Sequence, residues 1–385
     1  MKVLVYCQHI WGVGHLFRIL EICKALREHH VVLVTGGPRV DAALPEHVRE
    51  FRLPGLMTDR NYQGLFPTDK NKTLGEVKRE RQKLLYGHFI KEAPDVFVIE
   101  LYPFGRRAFR FELDPILQGL RNGTLPASRV VCSLRDILVE KKDPAAYESR
   151  VVDILNRYFD ALMVHADPNY VKIDETFSRI TDINIKIFYT GFVTPGPAPG
   201  AGKRLRRRLG ISNDEVLIVA SAGGGKAGIA LLKPLMAALA HTPIDAPVHL
   251  YIFTGPFMTE EEYGYLQNAA GKNVHVFRFA SDFLSYLAAA DLSVSMGGYN
   301  TSMNILSARV PALIWPYPGD REQGLRAQRL ARIGAISVIG DEDLQPERLG
   351  VLMHQSICRK SYHTAPINLN GSLNAARWLT QGESR

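Results

Sequence analysis

The chain has 385 residues, of which 46% are hydrophobic and 22% are charged, so its composition is that of a globular protein and excludes disordered and fibrous classes. Its length fits two domains of about 100–200 residues each. With 47 Lys and Arg against 39 Asp and Glu, the formal net charge is +8, which favours an anionic partner such as nucleic acid, a nucleotide or a membrane surface.

The cysteines and the hydrophobic runs indicate a reducing compartment. Cys7, Cys23, Cys132 and Cys358 share no metal-binding spacing and lie in or near apolar runs, which favours reduced, packed thiols over a disulfide framework. The apolar run that follows Lys2 is too short for the core of a signal peptide, and no uncharged apolar run reaches about 18 residues. We expect a cytoplasmic protein and leave peripheral contact with the inner face of the membrane open.

Strand-like and helix-like segments alternate along the first half of the chain. The apolar run Lys2–Cys7 is followed by His15–Glu28, in which apolar residues recur on one helical stripe. Val31–Thr35 and, after a long irregular polar stretch, a charged helix at Leu74–Ala93 continue the order. Further strands are expected at Asp95–Glu100, Arg129–Leu134, Asp160–His165 and Ile185–Thr190, with a helix near Tyr147–Phe159. Buried Val, Ile and Leu strands separated by helices predict a parallel sheet.

A segment rich in Pro and Gly, Thr194–Gly202, interrupts this alternation. The strands resume at Val216–Ser221, Val248–Thr254, Val274–Phe279, Leu292–Ser295, Ala312–Trp315 and Ile336–Ile339. We therefore predict an α/β protein with two doubly wound Rossmann-like domains that face each other across a cleft. Their expected bounds are 1–195 and 203–369, with a linker at 196–202 and a C-terminal helix at about 370–385 that is able to pack back on the first domain. Open parallel sheets bind ligands beyond the carboxyl ends of their strands, so the cleft is the expected site.

Three glycine-rich turns follow strands, namely Gly12–His15, Gly223–Gly228 and Gly297–Thr301. Such turns present backbone amides at a helix start and commonly bind phosphate, although tight packing is the alternative for any one of them. The second turn has the G-x-G-x-x-G spacing of dinucleotide sites but lacks the acidic residue expected at the end of the next strand. Ala227 follows Lys226 where a P-loop requires Ser or Thr. The turns therefore favour a phosphate-bearing ligand other than NAD or ATP.

The strongest signal lies in Ala288–Leu330, where an Ala-Asp pair, a Gly-Gly-x-Asn-Thr turn, a Pro-Ala-Leu run and a Glu-Gln pair with a downstream Arg-Ala follow in order. This constellation resembles the C-terminal domain of inverting GT-B glycosyltransferases related to the peptidoglycan lipid II N-acetylglucosaminyltransferase. Gly12-x-Gly14-His15-x-x-Arg18 is similar to the N-terminal loop of that superfamily, a form also found in the UDP-sugar hydrolase of pseudaminic acid biosynthesis. Glu100–Arg107, Ser133–Asp136 and Tyr189–Phe192 resemble a branch of predicted glycosyltransferases whose acceptors are unnamed.

The resemblance implies where a nucleotide-sugar donor binds. The turn at 297–301 would hold the diphosphate with the 221–225 loop opposite, backbone near 278–279 would read the nucleobase, and residues 322–323 would contact the sugar or ribose. The donor-binding residues implied are Gly14, Arg18, Ser221, Gly223, Gly224, Gly225, Arg278, Phe279, Gly297, Gly298, Tyr299, Asn300, Thr301, Asn304, Glu322 and Gln323. Lys226 could assist or be solvated. Relatives usually carry a ribose-binding Glu where this chain has Asn304, so UDP is the favoured nucleotide while dTDP and GDP stay open.

His15 is the predicted catalytic base, because it begins the first helix and a neutral imidazole can accept a proton near pH 7. The helix dipole at that position disfavours the protonated form. Glu100 and Asp136 each follow a strand, and either could orient His15, bind the acceptor, cap a helix or pair with a neighbouring arginine. The three glycine-rich turns carry no Asp-x-Asp of the kind that metal-dependent sugar transferases use, so we expect neither a metal nor a cofactor beyond the nucleotide sugar.

Acceptor recognition is expected in the first domain. Leu53–Lys72 mixes large apolar and charged residues without periodicity and is either a functional lid or a packed surface loop. The helix Lys72–Lys91, with Lys78, Arg79, Arg81 and Lys83, and the run Lys203–Arg208 could meet an anionic acceptor or membrane, or be solvated faces. The predicted function is metal-independent, inverting transfer from a nucleotide sugar to a small-molecule or lipid-linked acceptor. The alternatives are a UDP-sugar hydrolase and a non-catalytic nucleotide-sugar-binding protein. No motif in the sequence supports nucleic-acid binding. The sequence leaves the oligomeric state open.

Overall fold

The computed structural model describes residues 1–9, 14–40, 43–58, 64–138, 141–225, 227–334, 336–359 and 366–381. The chain divides into two compact units, which we call unit 1 and unit 2. Unit 1 consists of Met1–Val193 together with Asn370–Arg385, and unit 2 consists of Thr194–Leu369. The division therefore falls two residues before the predicted end of the first domain at residue 195.

Unit 1 is built on a parallel sheet of seven strands in the order β3-β2-β1-β6-β7-β8-β9. The strands of unit 1 are β1 (Lys2–Tyr6), β2 (His30–Thr35), β3 (Val48–Arg52), β4 (Leu56–Thr58), β5 (Leu65–Pro67), β6 (Val96–Glu100), β7 (Arg129–Arg135), β8 (Ala161–His165) and β9 (Lys186–Tyr189). Its first four helices are α1 (Gly14–Ala25), α2 (Leu74–Glu92), α3 (Arg110–Arg121) and α4 (Pro144–Tyr158). The chain order reverses between β1 and β6, and such a switch point is where open parallel sheets bind ligands.

The polar stretch expected to be irregular between the second strand and α2 contains three strands. β3 pairs in parallel with β2, and β4 and β5 form an antiparallel hairpin. The sequence of β3, Val-Arg-Glu-Phe-Arg, carries charged residues because this strand forms an edge of the sheet and has exposed positions. Within the predicted lid at Leu53–Lys72, Leu56 is buried and Phe66 is exposed, while residues 59–63 lie outside the described residues.

Helix α2 begins with a capping box, in which Thr73 accepts from the amide of Glu76 and the Glu76 carboxylate accepts from Thr73. Of the basic residues expected to meet an anionic acceptor from this helix, Arg81 is fully buried. Its guanidinium forms a bidentate pair with the buried Glu112 of α3 and also donates to the carbonyl of Pro54. Arg81 therefore ties α2 to α3 and to the hairpin, and the interpretation of Arg81 as an acceptor-binding residue is wrong.

Unit 2 is built on a parallel sheet of six strands in the order β12-β11-β10-β13-β14-β15. Its strands are β10 (Val216–Ser221), β11 (Val248–Phe253), β12 (Val274–Phe277), β13 (Leu292–Met296), β14 (Ala312–Trp315) and β15 (Ser337–Val338). Its helices are α5 (Ala201–Leu209), α6 (Ile229–Ala238), α7 (Glu260–Asn268), α8 (Phe283–Ala289), α9 (Tyr299–Ala308), α10 (Arg321–Arg332) and α11 (Pro346–Cys358). The switch point of this sheet lies between β10 and β13, directly before two of the glycine-rich turns.

The predicted linker at 196–202 belongs to unit 2, and its last two residues already form the first turn of α5. A Cβ placed on Gly202 would lie 2.2 Å from the carbonyl oxygen of Ala288, so α5 packs on α8 more closely than a side chain would allow. The basic run on this helix is partly engaged, because Arg206 donates to the carbonyl of Ala289 and pairs with Asp291. Arg208 pairs with Asp282.

The last helix, α12 (Gly371–Thr380), packs on α1 of unit 1. Ala375, Ala376 and Leu379 join the apolar core of that unit, and the Trp378 ring stacks on Phe188 with 5.1 Å between centroids. No helix in the described part of the chain is long and apolar enough to span a membrane.

Candidate functional site

A first candidate site lies at the switch point of the unit 1 sheet. Glu100 is the last residue of β6, and α1 begins at Gly14 shortly after β1, which pairs with β6. His15 and Arg18 lie one turn apart on α1, so their side chains project from the same face toward Glu100. Gly12, the other glycine of this predicted loop, lies outside the described residues.

The structure brings His15, Arg18 and Glu100 into one hydrogen-bonded group. The Nδ1 atom of His15 lies 2.5 Å from Oε1 of Glu100, and Nη2 of Arg18 donates to the same oxygen at 2.8 Å. Glu100 is fully buried, Arg18 is nearly so, and the His15 side chain is 16% exposed. Arg18 was expected to contact the donor; in the structure its guanidinium holds Glu100.

The charges of this group follow from burial and pairing. Burial alone would raise the pKa of Glu100, but His15 and Arg18 outweigh it and lower the pKa to about 2. Burial lowers the pKa of His15 to about 4, against the opposing attraction of Glu100. Near neutral pH the pair is therefore a carboxylate and a neutral imidazole. Because Nδ1 needs its proton to donate to Glu100, the lone pair of the ring lies on Nε2, where a proton can be accepted.

A second arginine approaches Glu100 from the loop that follows β6. The Nε atom of Arg106 lies 4.0 Å from Oε2 of Glu100, and neither atom makes a hydrogen bond to the described residues although both are buried. Leu101 and Arg106 in this loop have φ angles of 66° and 58°, a conformation that non-glycine residues adopt rarely and that often accompanies functional sites. The sequence motif 100–107 contained these residues, but nothing in it distinguished Arg106 from its neighbours.

Asp136, the other carboxylate considered for His15, lies one residue past β7 and is fully buried. The hydrogen bonds of His15 run to Glu100 and not to Asp136, so Glu100 is the residue that orients the imidazole. A further buried row lies on neighbouring strands. The Ser133 hydroxyl lies 2.7 Å from Nε2 of His165, and Nδ1 of His165 lies 3.0 Å from the Thr190 hydroxyl, an arrangement that sequence reasoning missed.

A second candidate site lies in unit 2, where the loop 221–225 follows β10. Gly223 and Gly225 have φ angles of 60° and 95°, and the amide of Gly223 lies 3.2 Å from the Ser221 hydroxyl oxygen that accepts from it. A Cβ on Gly225 would lie 2.4 Å from the carbonyl oxygen of Thr254, so glycine is required there by both conformation and space. Lys226, considered as a phosphate ligand, lies outside the described residues.

The turn that follows β13 leads directly into α9. Gly298 is the N-cap of this helix and makes no side-chain hydrogen bond to the first turn, and helix N-termini of this kind commonly bind anions. The hydroxyl of Thr301 would lie 3.8 Å from a Cβ on Gly223, so the two predicted phosphate-binding segments lie side by side. Tyr299 is buried and Asn300 is half-buried in the same first turn.

Helix α10 closes on this turn. A Cβ on Gly297 would lie 3.2 Å from the carbonyl oxygen of Gln323, so the start of α10 packs directly against the glycine turn. Glu322 accepts from the guanidinium of Arg326 at 2.6 Å, and Arg326 also donates to the carbonyl of Gly297 at 3.1 Å. The buried Arg326 thus connects the two segments, a role that its position in the downstream Arg-Ala pair did not reveal. Gln323 is engaged with Asp320, the N-cap of α10.

The remaining predicted donor residues have defined partners. Asn304 is half-buried on α9, and its side-chain oxygen accepts from the Thr194 hydroxyl at 3.1 Å. The carbonyl of Arg278 already accepts from the amide of Gly255, and its guanidinium pairs with Glu260. The ring of Phe279 is 58% exposed. Among the residues that the structure describes, no group of three His, Cys, Asp or Glu side chains is placed to hold a metal ion.

Residues 231–360 match the model of the glycosyltransferase family 28 C-terminal domain. The chain is 23% identical over 227 residues to an uncharacterized glycosyltransferase of Methanopyrus kandleri, covering 58% of this chain and 62% of that protein. It is 26% identical over 147 residues to the UDP-N-acetylglucosamine--N-acetylmuramyl-(pentapeptide) pyrophosphoryl-undecaprenol N-acetylglucosamine transferase of Carboxydothermus hydrogenoformans, covering 38% of this chain and 39% of that protein. The chain thus aligns with less than two thirds of either relative.

Solved structures resemble the chain over nearly its whole length. The calicheamicin glycosyltransferase CalG4 has a TM-score of 0.59 at 16% identity, covering 98% of this chain and 93% of that chain. A UDP-GlcNAc 2-epimerase from Methanocaldococcus jannaschii has a TM-score of 0.62 at 13% identity, covering 99% of this chain and 100% of that chain. Such low identities show the fold alone, and the predicted GT-B fold is confirmed.

Proposed function

We propose that this chain transfers a sugar from a nucleotide diphosphate sugar to an acceptor hydroxyl or amine. Its match to the glycosyltransferase family 28 C-terminal domain, its GT-B fold and its similarity to the peptidoglycan N-acetylglucosamine transferases support this proposal. The observation that carries this proposal is the His15–Glu100 pair, a neutral imidazole held by a buried carboxylate. The glycine turns after β10 and β13 supply the place for the donor diphosphate.

In this proposal His15 is the general base. Its Nε2 atom accepts the proton of the attacking hydroxyl, while Nδ1 stays protonated and donates a hydrogen bond to Glu100. Glu100 orients the ring and stabilises the imidazolium that forms during the reaction, and Arg18 fixes the carboxylate in turn. General base catalysis of this kind contributes about 10²–10⁴-fold to the rate.

The acceptor oxygen forms a bond to the anomeric carbon as the bond from that carbon to the diphosphate oxygen breaks. The bonding electrons leave with the diphosphate, and the proton of the acceptor stays on His15. A single displacement of this type inverts the anomeric configuration. The amides at the start of α9 would stabilise the charge that develops on the diphosphate, so we propose a reaction that does not depend on a metal.

UDP is the nucleotide that we favour, because several relatives are named as UDP-N-acetylglucosamine transferases. Asn304 occupies the place of the usual ribose-binding Glu, and Thr194 already donates to its oxygen. The Asn304 amide can still donate to one ribose hydroxyl, but it lacks the charge that strengthens such a bond. We therefore expect weaker ribose binding than a carboxylate would give.

A UDP-sugar hydrolase remains the second candidate. The observation that favours it is the likeness to a UDP-GlcNAc 2-epimerase, which places the same fold in a protein named for chemistry other than sugar transfer. In that case water would occupy the position of the acceptor and give its proton to His15. Peripheral contact with a membrane stays a prediction.

The experiment begins with a thermal-shift screen of nucleotide sugars, because only ligands that bind the folded state raise its stability. The best donor is then incubated with the wild type, with His15→Ala and with the control His30→Ala, whose imidazole is 47% exposed. We expect His15→Ala to lose about 100-fold or more of its turnover with unchanged donor affinity, and His30→Ala to resemble the wild type.

A loss of less than tenfold in a folded His15→Ala variant that still binds the donor would contradict the assignment of the base. Rapid nucleotide release without an acceptor would favour the hydrolase over the transferase. The configuration of the product at the anomeric carbon, measured by NMR, tests inversion. Turnover that persists in EDTA tests the independence from metals.

A further inference from the structure

Four basic side chains gather at the carboxyl edge of the unit 1 sheet, beside the His15 group. Arg107 lies in the loop after β6, Arg135 is the last residue of β7, Lys141 lies between β7 and α4, and Arg150 is on α4. We call Arg107, Arg135, Lys141 and Arg150 the basic cluster. Lys141 and Arg107 are exposed and the other two are half-buried, so a ligand can reach these groups.

Tyr147 positions two members of the basic cluster. The Nζ atom of Lys141 lies 5.6 Å from the centroid of the Tyr147 ring, and the guanidinium carbon of Arg150 lies 5.5 Å from it. The ring itself is fixed, because Tyr147 is buried and its hydroxyl donates to the carbonyl of Phe104 at 2.9 Å. Both flexible basic side chains therefore lie against the same fixed aromatic ring.

The members of the basic cluster repel one another. Burial lowers the pKa of Lys141, and the charges of Arg135 and Arg150 lower it further. Burial likewise lowers the pKa of Arg150, with Arg107 as the next cause. Like charges held together cost free energy in the protein alone, and an anion bound among them removes that cost.

The basic cluster is close to the proposed base. Glu100 pairs in register with Ser133, and Arg135 lies two residues further along β7, which places its Cα about 8 Å from that of Glu100 at ordinary strand spacings. Arg106, next to Arg107 in the chain, approaches Glu100 to 4.0 Å. The basic cluster thus lies at the same edge of the unit 1 sheet as Glu100, which orients His15.

We propose that the basic cluster binds a phosphate group carried by the acceptor. The identification of the ligand as the acceptor rests on the proposed function, whereas the presence of an anion site does not. Arginine forks and a lysine ammonium match the three or four oxygens of a phosphate, and the spread of the four cations over three segments allows contacts from several sides. The site lies in unit 1 and is distinct from the glycine turns of unit 2, which hold the donor diphosphate.

The test uses the full chain saturated with UDP, so that the donor site is filled, at constant ionic strength in chloride. Inorganic phosphate and octyl phosphate are titrated by calorimetry into the wild type, Arg150→Gln and Lys141→Gln. Arg157→Gln is the matched control, because Arg157 is exposed on the same helix two turns beyond Arg150. We expect each cluster variant to bind both probes about fivefold to tenfold more weakly, and the control to bind like the wild type.

Phosphate binding that does not change in the cluster variants would overturn the proposal, as would the absence of binding at millimolar concentrations. Equal affinity for the two probes would indicate recognition of the phosphate alone, and tighter binding of octyl phosphate that still depends on Arg150 would indicate a lipid phosphate. Either result supports the proposal. If UDP itself fails to bind while phosphate binding depends on Arg150, the proposed donor fails and the anion site stands.

Discussion

Unit 1 and unit 2 use the same sheet topology to position two chemically different sites. In unit 1 the switch point carries side-chain charge, with Glu100 buried between His15, Arg18 and Arg106. In unit 2 the switch point carries glycine turns, one of which leads directly into the N-terminus of α9. A proton transfer needs a titratable side chain at a set pKa, whereas a diphosphate can be held by fixed dipoles.

The difference implies different sensitivities to substitution. Catalysis by the side chains of unit 1 should be lost when one functional group is replaced by an isostere, even if the fold is unchanged. Donor binding by the backbone of unit 2 should tolerate the loss of side-chain functional groups but should be lost when a Cβ is added to a glycine. The predictions below test this contrast.

The largest effect is expected for Glu100→Gln. The amide cannot stabilise an imidazolium and can hold the ring of His15 in the wrong tautomer, so turnover should fall about 10²–10⁴-fold. Circular dichroism and donor binding check that the variant is folded, because Arg18 loses its carboxylate partner as well. A folded variant with more than a tenth of wild-type turnover would show that Glu100 does not orient the base.

The pH dependence of the free energy of unfolding should depend on the His15–Glu100 pair. His15 has a pKa of about 4 in the folded chain against about 6.5 when unfolded, so between these values the unfolded chain binds more protons. The free energy of unfolding should therefore fall as the pH drops from about 6.5 to 4, by up to about 3 kcal/mol from His15. Glu100, with its pKa lowered to about 2, adds a further loss below about pH 4.5.

Urea titrations at pH 7 and pH 4.5 measure this change. His15→Gln removes the imidazole and should reduce the dependence between pH 6.5 and 4, whereas His30→Ala should not. The remaining dependence comes from other buried histidines, above all His165, whose pKa burial lowers to about 3. A dependence that is unchanged in His15→Gln would mean that His15 is not buried against Glu100 in solution.

The sequence predicted the order of the elements because buried parallel strands and amphipathic helices leave clear periodic patterns. β3 was missed because an edge strand carries polar residues that resemble a loop. Glu100 and Asp136 could not be separated, since both follow parallel strands and only the three-dimensional arrangement shows which one meets His15. The position of Arg106 beside Glu100 depends on an unusual backbone conformation, and the role of Arg326 depends on contacts between two segments of the chain. Neither feature leaves a local pattern in the sequence.

The next largest effect is expected from two glycine substitutions in the 221–225 loop, which should differ in their cost to stability. Gly225→Ala places a methyl group 2.4 Å from the carbonyl oxygen of Thr254 at a φ of 95°, and should cost about 2–4 kcal/mol of stability and most of the donor affinity. Gly223→Ala meets no atom closer than 3.8 Å and has a φ of 60°, so it should cost only about 1–2 kcal/mol. Equal losses in urea unfolding would remove the steric explanation.

The smallest effect is expected for Asn304→Glu, which restores the residue that relatives usually have at this position. The carboxylate can accept from both ribose hydroxyls, and charge-assisted hydrogen bonds are the stronger ones, so UDP affinity should rise about threefold to tenfold. The affinity for 2′-deoxy-UDP, which lacks one of these hydroxyls, is the control and should rise less. Because Thr194 can still donate to a carboxylate oxygen, the substitution leaves its contact in place. An equal gain for both nucleotides would mean that the added charge acts elsewhere, and that Asn304 does not face the ribose.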